Sequence, residues 1–427
     1  MAYRPLDVVE VRIWNRRAGA VALDPNLGCY AFEYDPAFLS SGIEIAPIAM
    51  PLAAGREPFV FPNLPRPTFL LLPAAIADAL PDDFGNALID AWLAKEGIAK
   101  ERVTPLDRLA YMGKRAMGAL EFRPAHQLPK APTAIEMSDL VESARLAVRG
   151  ELADDALAAA ALAQIIQVGT SAGGARAKAA VAWHPQTQEV RAGQFDVDEG
   201  FEHWLLKLDG VGADKELGAG QHFGRIEYAY HLMAKAAGIS MMPSRLLEEN
   251  GRAHFMTKRF DRDGNTKIHA QSLCAMAHLD FRQRATHDLS QWLQTMQRLD
   301  LGYPALEEGF RRAAFNVMAA NCDDHTKNVS FMMREGGRWE LAPAYDLTHA
   351  HNPAGEWTYQ HLMSVNGKFE RITAADLLAV ADAFGIGTAP RVLDEVRAAV
   401  RKWPAHAKKA GLSKAETSRI SAGHRVA

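Results

Sequence analysis

The sequence predicts an α+β protein with a β-hairpin-containing N-terminal part and a largely helical C-terminal part, on three observations. Residues 7 to 35 read as short alternating strands. Two strand-like runs follow a small-residue loop that begins at Gly169. Beyond residue 270 the apolar spacing is mostly helical, to Phe331 and again from Ala374. At roughly 100 to 200 residues per domain, 427 residues give two or three packing units. Apolar residues at 48% and charged residues at 23% are ordinary for a folded domain and exclude a disordered or fibrous chain. Lys and Arg (48) nearly balance Asp and Glu (51), so any polyanionic partner must use a local patch. Cys29, Cys274 and Cys322 are too sparse for a disulfide framework or a cysteine zinc site, which fits a reducing cytoplasm. The start lacks an apolar signal core and Ala156 to Ile166 is too short to cross a bilayer, so neither export nor a membrane span is expected.

Taken in order, Val8 to Ile13 and Ala20 to Leu23 form the opening hairpin around a turn at Asn15 to Gly19. Proline-rich coil from Pro47 to Pro73 leads to a helix over Ala87 to Glu96, with Asp82 or Asp83 as its cap, and a second helix covers Pro105 to Met112. Pro124, Pro129 and Pro132 mark a linker, which puts the first boundary near 125 to 135, and a helix from Ala134 to Leu162 follows. Next come strands over Ala179 to Trp183 and Trp204 to Leu208, a helix from Gln221 to Ala237, an extended run from Arg252 to Phe260 and a short hairpin over Val329 to Leu341. Trp183 and Trp204 read as core residues. The resulting division is 1–130, 131–262 and 263–427.

The chemistry concentrates in Asn321-Cys322-Asp323-Asp324-His325-Thr326-Lys327-Asn328 and, shortly after, Pro343-Ala344-Tyr345-Asp346. Phosphoryl transfer needs a carboxylate to orient the acceptor hydroxyl, an Asn and an Asp to hold Mg²⁺, and a Lys on the nucleotide phosphates. Asp323-x-x-x-x-Asn328 has the catalytic-loop spacing of protein kinases, which selects Asp323 over Asp324 as the base. Upstream, Lys207 sits in an apolar strand where an ammonium needs a counter-charge, and Glu227 on the following helix can supply it. Gly173, Gly174, Ala175, Arg176, Ala177 and Lys178 form a small-residue loop whose amides could approach phosphates. The order of loop, strand Lys, helix Glu, extended hinge, helical part, Asp/Asn loop and Asp346 describes a two-lobed protein-kinase-like fold.

With Arg259-Phe260-Asp261-Arg262, Asp323-x-His325-x-Lys327-Asn328, Pro343-x-Tyr345-Asp346, Leu80-Pro81-Asp82 and Met117-Gly118-Ala119-Leu120, the chain resembles the HipA-like bacterial toxin kinases over nearly its whole length. That resemblance implies ATP- and Mg²⁺-dependent phosphorylation of a protein serine or threonine. Asp323 would be the base, Asn328 and Asp346 the Mg²⁺ ligands, and Lys207 the α/β-phosphate contact. Lys258, Arg259 and Phe260 would meet adenine through backbone groups, and Tyr345 belongs to the same cofactor set. His325 would lie beside the phosphates under the loop Gly173 to Lys178. Ser171 occupies the place of a self-phosphorylated serine, where nearly two added negative charges would eject the loop. The resemblance also implies a small helix-turn-helix antitoxin, DNA contact through that complex, and a translation-related target such as an aminoacyl-tRNA synthetase.

Departures are visible. There is no His-Arg-Asp or Ala-Pro-Glu, and Asp346-Leu347-Thr348 stands where eukaryotic-type kinases have Asp-Phe-Gly. Ala175-Arg176-Ala177 precedes Lys178 where relatives can carry a Gln-Glu pair. Three alternatives stay open: a kinase-fold binding partner in a repressor complex, a small-molecule kinase, and a zinc site around His325, His349 and His351, although zinc would want three or four ligands of fixed geometry. The basic tail from Arg401 to Arg419 reads as a solvated helix face, with DNA contact as its rival reading.

Overall fold

The computed structural model describes residues 3–81, 83–95, 97–125, 137–149, 177–211 and 222–426. The chain divides into two compact units: Met1–Gly212 with Lys258–Gln271 and Met332–Arg338, and Ala213–Thr257 with Ser272–Phe331 and Trp339–Ala427.

In the first unit, β1 (Val8–Ile13), β2 (Arg16–Asp24), β3 (Cys29–Tyr34) and β4 (Leu120–Arg123) make an antiparallel sheet in the order β3-β2-β1-β4. Val9, Val11 and Ile13 are fully buried, so the alternation in the sequence does mark the core face. The turn is shorter than the sequence suggests. Trp14 and Asn15 both take left-handed backbone angles, the geometry of a two-residue hairpin turn, so β2 already begins at Arg16, paired with Ile13. Gly19 sits in that strand, because a Cβ there would meet the Glu33 carbonyl at 2.1 Å. Helices Asp83–Lys95 and Pro105–Met112 follow, and Asp83 is the first helical residue of its helix rather than a flanking cap. The second is framed by a capping box: Thr104 Oγ1 accepts from the Asp107 amide at 3.2 Å, and Asp107 Oδ2 accepts from the Thr104 amide at 2.8 Å. Of the long helix expected from Ala134, the described part is Met137–Arg149. Of the linker expected around Pro124, Pro129 and Pro132, residues 126–136 lie outside the described residues.

The same unit holds β5 (Lys178–Trp183), β6 (Val190–Ala192) and β7 (Glu202–Lys207), ordered β6-β5-β7 and antiparallel between β5 and each neighbour. Trp183 and Trp204 are buried and meet edge to face with ring centroids 5.4 Å apart. Residues 258–271 belong with this unit because of what they bind. Asp261 is fully buried and salt-bridged to Arg259 (Nε to Oδ1 2.9 Å, Nη2 to Oδ2 2.7 Å) and to Arg262 (Nη1 to Oδ2 2.7 Å). Its Oδ2 also accepts from the Gly118 amide at 2.8 Å, and Arg262 donates to the Gly118 and Ala116 carbonyls. Gly118 has a φ of +78° and a Cβ there would meet the Ala270 amide at 2.9 Å, so only glycine fits. Two of the sequence motifs therefore interlock. Trp14 Nε1 donates to the Lys267 carbonyl at 2.8 Å, and Lys267 Nζ donates to Glu121 at 2.9 Å.

The second unit is mainly helical. Helix Phe223–Ala236 lies on the hairpin of β8 (Ser244–Glu249) and β9 (Arg252–Lys258), and Gly224 lets it approach closely, because a Cβ would sit 2.0 Å from the Ala253 carbonyl. Helices Leu273–Ala277, Leu289–Arg298, Gly302–Met318, Ala374–Ala383, Ala389–Arg401, Trp403–Lys409 and Lys414–Ser421 follow in the same unit. Tyr230, Trp292, Phe310, Phe315 and Trp403 are fully buried at its centre. The helical pattern expected to reach Phe331 stops at Met318, where Ala319 ends the helix and Ala320 turns left-handed. Three long-range bonds hold that corner: Tyr230 Oη to the Ala319 carbonyl (2.5 Å), the Arg425 amide to the Met318 carbonyl (2.8 Å), and the Cys322 amide to the Ala350 carbonyl (2.9 Å).

Candidate active site

In the second unit the segment 321–328 is pinned at alternate residues. Asn321 donates from its backbone amide to the Asn316 carbonyl (3.0 Å) and from its side chain to Asn316 Oδ1 (2.9 Å). Asp324 is buried and fully used: Oδ1 accepts from the Leu362 amide at 2.7 Å, and Oδ2 contacts His361 Nδ1 at 2.8 Å. Burial alone would discharge His361. The negative charge of Asp324 and its hydrogen bond outweigh that, and with Cys322 Sγ 3.9 Å from Nε2 the imidazole pKa is pushed up to about 10. Thr326 Oγ1 donates to the Leu279 carbonyl at 2.6 Å.

Between these anchors Asp323 keeps its side chain 46% exposed, with Oδ1 3.8 Å from His325 Nε2. His325 packs its ring against Phe281, centroids 5.3 Å apart, and the Lys327 ammonium lies 5.4 Å from the same ring's centroid. Asn328 Nδ2 donates to the Asp323 carbonyl at 2.8 Å, which fixes the orientation of the amide and leaves Oδ1 as its acceptor atom. Tyr345 ties the second motif to the first: its hydroxyl donates to the Lys327 carbonyl at 2.8 Å and meets Ser330 Oγ at 2.6 Å. Asp346 follows with a left-handed φ of +56°, a conformation that non-glycine residues adopt at some cost and that recurs at functional sites. Tyr345→Phe is expected to lower stability by about 1–3 kcal/mol, read as a lower thermal midpoint, because the Lys327 carbonyl loses its donor. An unchanged midpoint would show that the two motifs hold without that bond. Glu227 is buried on helix Phe223–Ala236 of this unit.

The first unit carries the other expected residues. Lys178 and Lys207 are buried and directly opposite across β5 and β7. The Ala177 carbonyl accepts from the Leu208 amide at 3.0 Å. Lys258 pairs with Glu202 at 2.7 Å, and the Arg259 amide donates to the His203 carbonyl at 3.0 Å. Of the expected adenine contacts, the Arg259 N–H is therefore already used within the fold, and Phe260 is half-buried beside it. Ser171, Gly173, Gly174, Ala175 and Arg176 lie outside the described residues. His361 is the site-shaping residue that sequence reading missed, since nothing local links it to Asp324.

Asn328 and Asp346 fit Mg²⁺: both offer oxygen, and two protein ligands completed by water and phosphate oxygens suit that ion. Among the described residues, no three His, Cys, Asp or Glu side chains come together as metal ligands. None of the described helices is long and apolar enough to cross a membrane.

The fold is α+β, as the sequence predicts, and comparison with known proteins places it. A family model for the HipA N-terminal domain matches residues 9–123, and one for the HipA-like C-terminal domain matches residues 170–403. The chain belongs to the HipA family. Among solved structures it is similar in fold to the HipA of the Shewanella oneidensis MR-1 toxin antitoxin system, solved with HipB and its operator DNA. That match has a TM-score of 0.65 at 17% identity and covers 97% of this chain and 94% of that one. A slighter likeness, with a TM-score of 0.35 at 11% identity over 52% of this chain and 85% of that one, is to the Helicobacter pylori proinflammatory kinase CtkA, and nothing below rests on it. No curated protein matches the sequence significantly.

Proposed function

We propose that the chain is an ATP-dependent protein serine/threonine kinase of the HipA type. The observation that carries this reading is the division of labour between adjacent carboxylates: Asp324 is consumed by His361 and Leu362, whereas Asp323 stays half-exposed at kinase spacing from an oriented Asn328. Asp323 would take the proton of the acceptor hydroxyl as its oxygen bonds the γ-phosphorus. The bond to the β,γ-bridging oxygen breaks and ADP leaves with the electron pair. Asn328 and Asp346 would hold Mg²⁺, which when bound neutralises phosphate charge. Lys178 and Lys207 would meet phosphates, His325 would lie beside them, and Lys258 to Phe260, with Tyr345, would complete the nucleotide site. Ser171 would be the self-limiting acceptor.

By analogy with the Shewanella complex, the partners are a HipB-like antitoxin and, through it, operator DNA. The target would be a translation-related protein such as an aminoacyl-tRNA synthetase, phosphorylated in the cytoplasm. Intact-mass spectrometry after incubation with Mg-ATP tests the reading, with peptide mapping and Asp323→Ala and Ser171→Ala variants. Phosphate is expected on Ser171 in the wild type and absent from Asp323→Ala. No phosphate, together with no ATP binding, would overturn it in favour of a kinase-fold binding partner of the antitoxin.

A further inference from the structure

Within the second unit, residues 279–287 form a closed loop beside the segment that carries Asp323. His287 Nε2 meets the Asp280 carbonyl at 2.7 Å, Asp280 Oδ1 accepts from the Arg282 amide at 3.0 Å, and Thr326 Oγ1 fastens the loop to the segment through the Leu279 carbonyl. Arg284 ties the same loop to the chain that follows Asp346. Its Nη1 donates to the Glu356 carbonyl at 2.6 Å, its Nη2 lies 3.4 Å from the Glu356 carboxylate, and its guanidinium carbon lies 5.1 Å from the centre of the Trp357 ring. The loop is therefore held from both ends, and the two acidic side chains just named already have partners of their own.

At the tip of this loop one ring gathers positive charge next to the base. Phe281 packs against His325, whose Nε2 is 3.8 Å from Asp323 Oδ1, and its centre lies 5.4 Å from Lys327 Nζ and 5.2 Å from the Arg282 guanidinium carbon. Arg282 is exposed and Lys327 half-buried. Among the described residues no carboxylate pairs with Lys327, and a cation resting on an aromatic ring keeps N–H donors for an anion. We propose that Phe281, Lys327 and Arg282 form a specificity surface that selects acceptors with a negatively charged side chain a few residues from the hydroxyl. The proposal rests on the kinase reading and names the substrate class of that site. Positive charge beside the base draws in acidic segments and turns away basic ones. The separations from Asp323 through His325 and Phe281 to Arg282 correspond to a few residues of extended peptide at roughly 3.3 Å each. Ser171 has no Asp or Glu within five residues on either side. As an acceptor in the same chain it is presented at an effective concentration on the order of millimolar and needs no such selection, which makes it the reference reaction.

The full chain would be assayed with Mg-ATP on serine peptides that differ only at a position about three residues from the acceptor, on its N-terminal or C-terminal side. That position holds Asp, Ala, Lys or phosphothreonine, and phosphate on Ser171 is followed in the same reactions by mass spectrometry. Asp in place of Lys is expected to raise kcat/KM about fivefold, through KM rather than kcat, and by less at high salt. A gain with phosphothreonine alone would uphold the charge selection and assign the anion to prior phosphorylation of the target. Arg282→Glu should reverse the order of the peptides while Ser171 phosphorylation and the KM for ATP stay unchanged, and Arg282→Lys should keep the wild-type order. With Ser171 phosphorylated, equal transfer to all peptides, a preference for Lys, or no transfer to any peptide overturns the proposal. A raised KM for ATP in Arg282→Glu with the peptide order unchanged would place Arg282 on the nucleotide and overturn it as well. Absence of phosphate everywhere, Ser171 included, is instead the failure of the kinase reading, and the proposal falls with it. The wild-type series decides even if both variants fail to fold.

Discussion

Asp261→Ala is expected to cost about 3–5 kcal/mol, the largest loss of stability predicted for any single side chain in the first unit. Two fully enclosed guanidinium groups, Arg259 and Arg262, would lose their shared anion, and the Gly118 amide would lose its acceptor. Against a typical total of roughly 5–15 kcal/mol, such a change endangers folding outright. Replacing all three groups with apolar residues, as Arg259→Met, Asp261→Leu and Arg262→Met together, should recover much of the loss, since the penalty comes from stranded charge rather than from lost attraction. The pH dependence has a definite sign. Burial would raise the Asp261 carboxyl, but the charges of Arg259 and Arg262 and the bonds to Arg259 and Gly118 outweigh it and hold it well below the usual carboxylate range. Its contribution is therefore fully present above the ordinary carboxylate pKa and is lost as pH falls toward the depressed folded value. Denaturant melts of wild type and Asp261→Ala should converge on acidification. A difference under about 1 kcal/mol at neutral pH would show that the triad is not what holds this segment in place.

Asp323→Asn and Asp324→Asn, one residue apart, should fail in opposite ways. The first should reduce phosphoryl transfer by about 10²–10⁴-fold with an unchanged thermal midpoint, because its side chain is half-exposed. The second should cost about 3–5 kcal/mol, because it leaves the enclosed His361 imidazolium without its anion. Here the linkage runs the other way: the His361 pKa is raised, so its contribution is complete below the ordinary histidine value and disappears as pH rises through about 10. Melts at pH above and below that point, run beside the transfer assay, separate the two roles. Full activity in Asp323→Asn would refute its assignment as the base.

Much of this was legible in the chain because the signals are local. The helix expected over Pro105 to Met112 begins and ends there. The Asp323 to Asn328 spacing separates two neighbouring aspartates that composition cannot tell apart. What stayed hidden depends on groups distant in sequence. Arg259-Phe260-Asp261-Arg262 reads as a hinge, but its charges are matched to Gly118 and Ala116 far upstream, so its main work is internal. His361 gives no hint that it will meet Asp324. The turn at Trp14 and Asn15 was misplaced because Arg16 and Arg17 look like loop residues while their pairing partners, Ile13 and Arg12, sit across the strand.

The bonds from Tyr230 to Ala319 and from Arg425 to Met318 also set a schedule. On the ribosome, the residues just ahead of Asp323 emerge long before Arg425 exists to hold them, and contacts so far apart along the chain form late in folding. A nascent chain would present the loop without its last fastening, and a chain clipped before Gly423 would stay in that state. Competence for whatever this loop does thus waits until synthesis has passed residue 425.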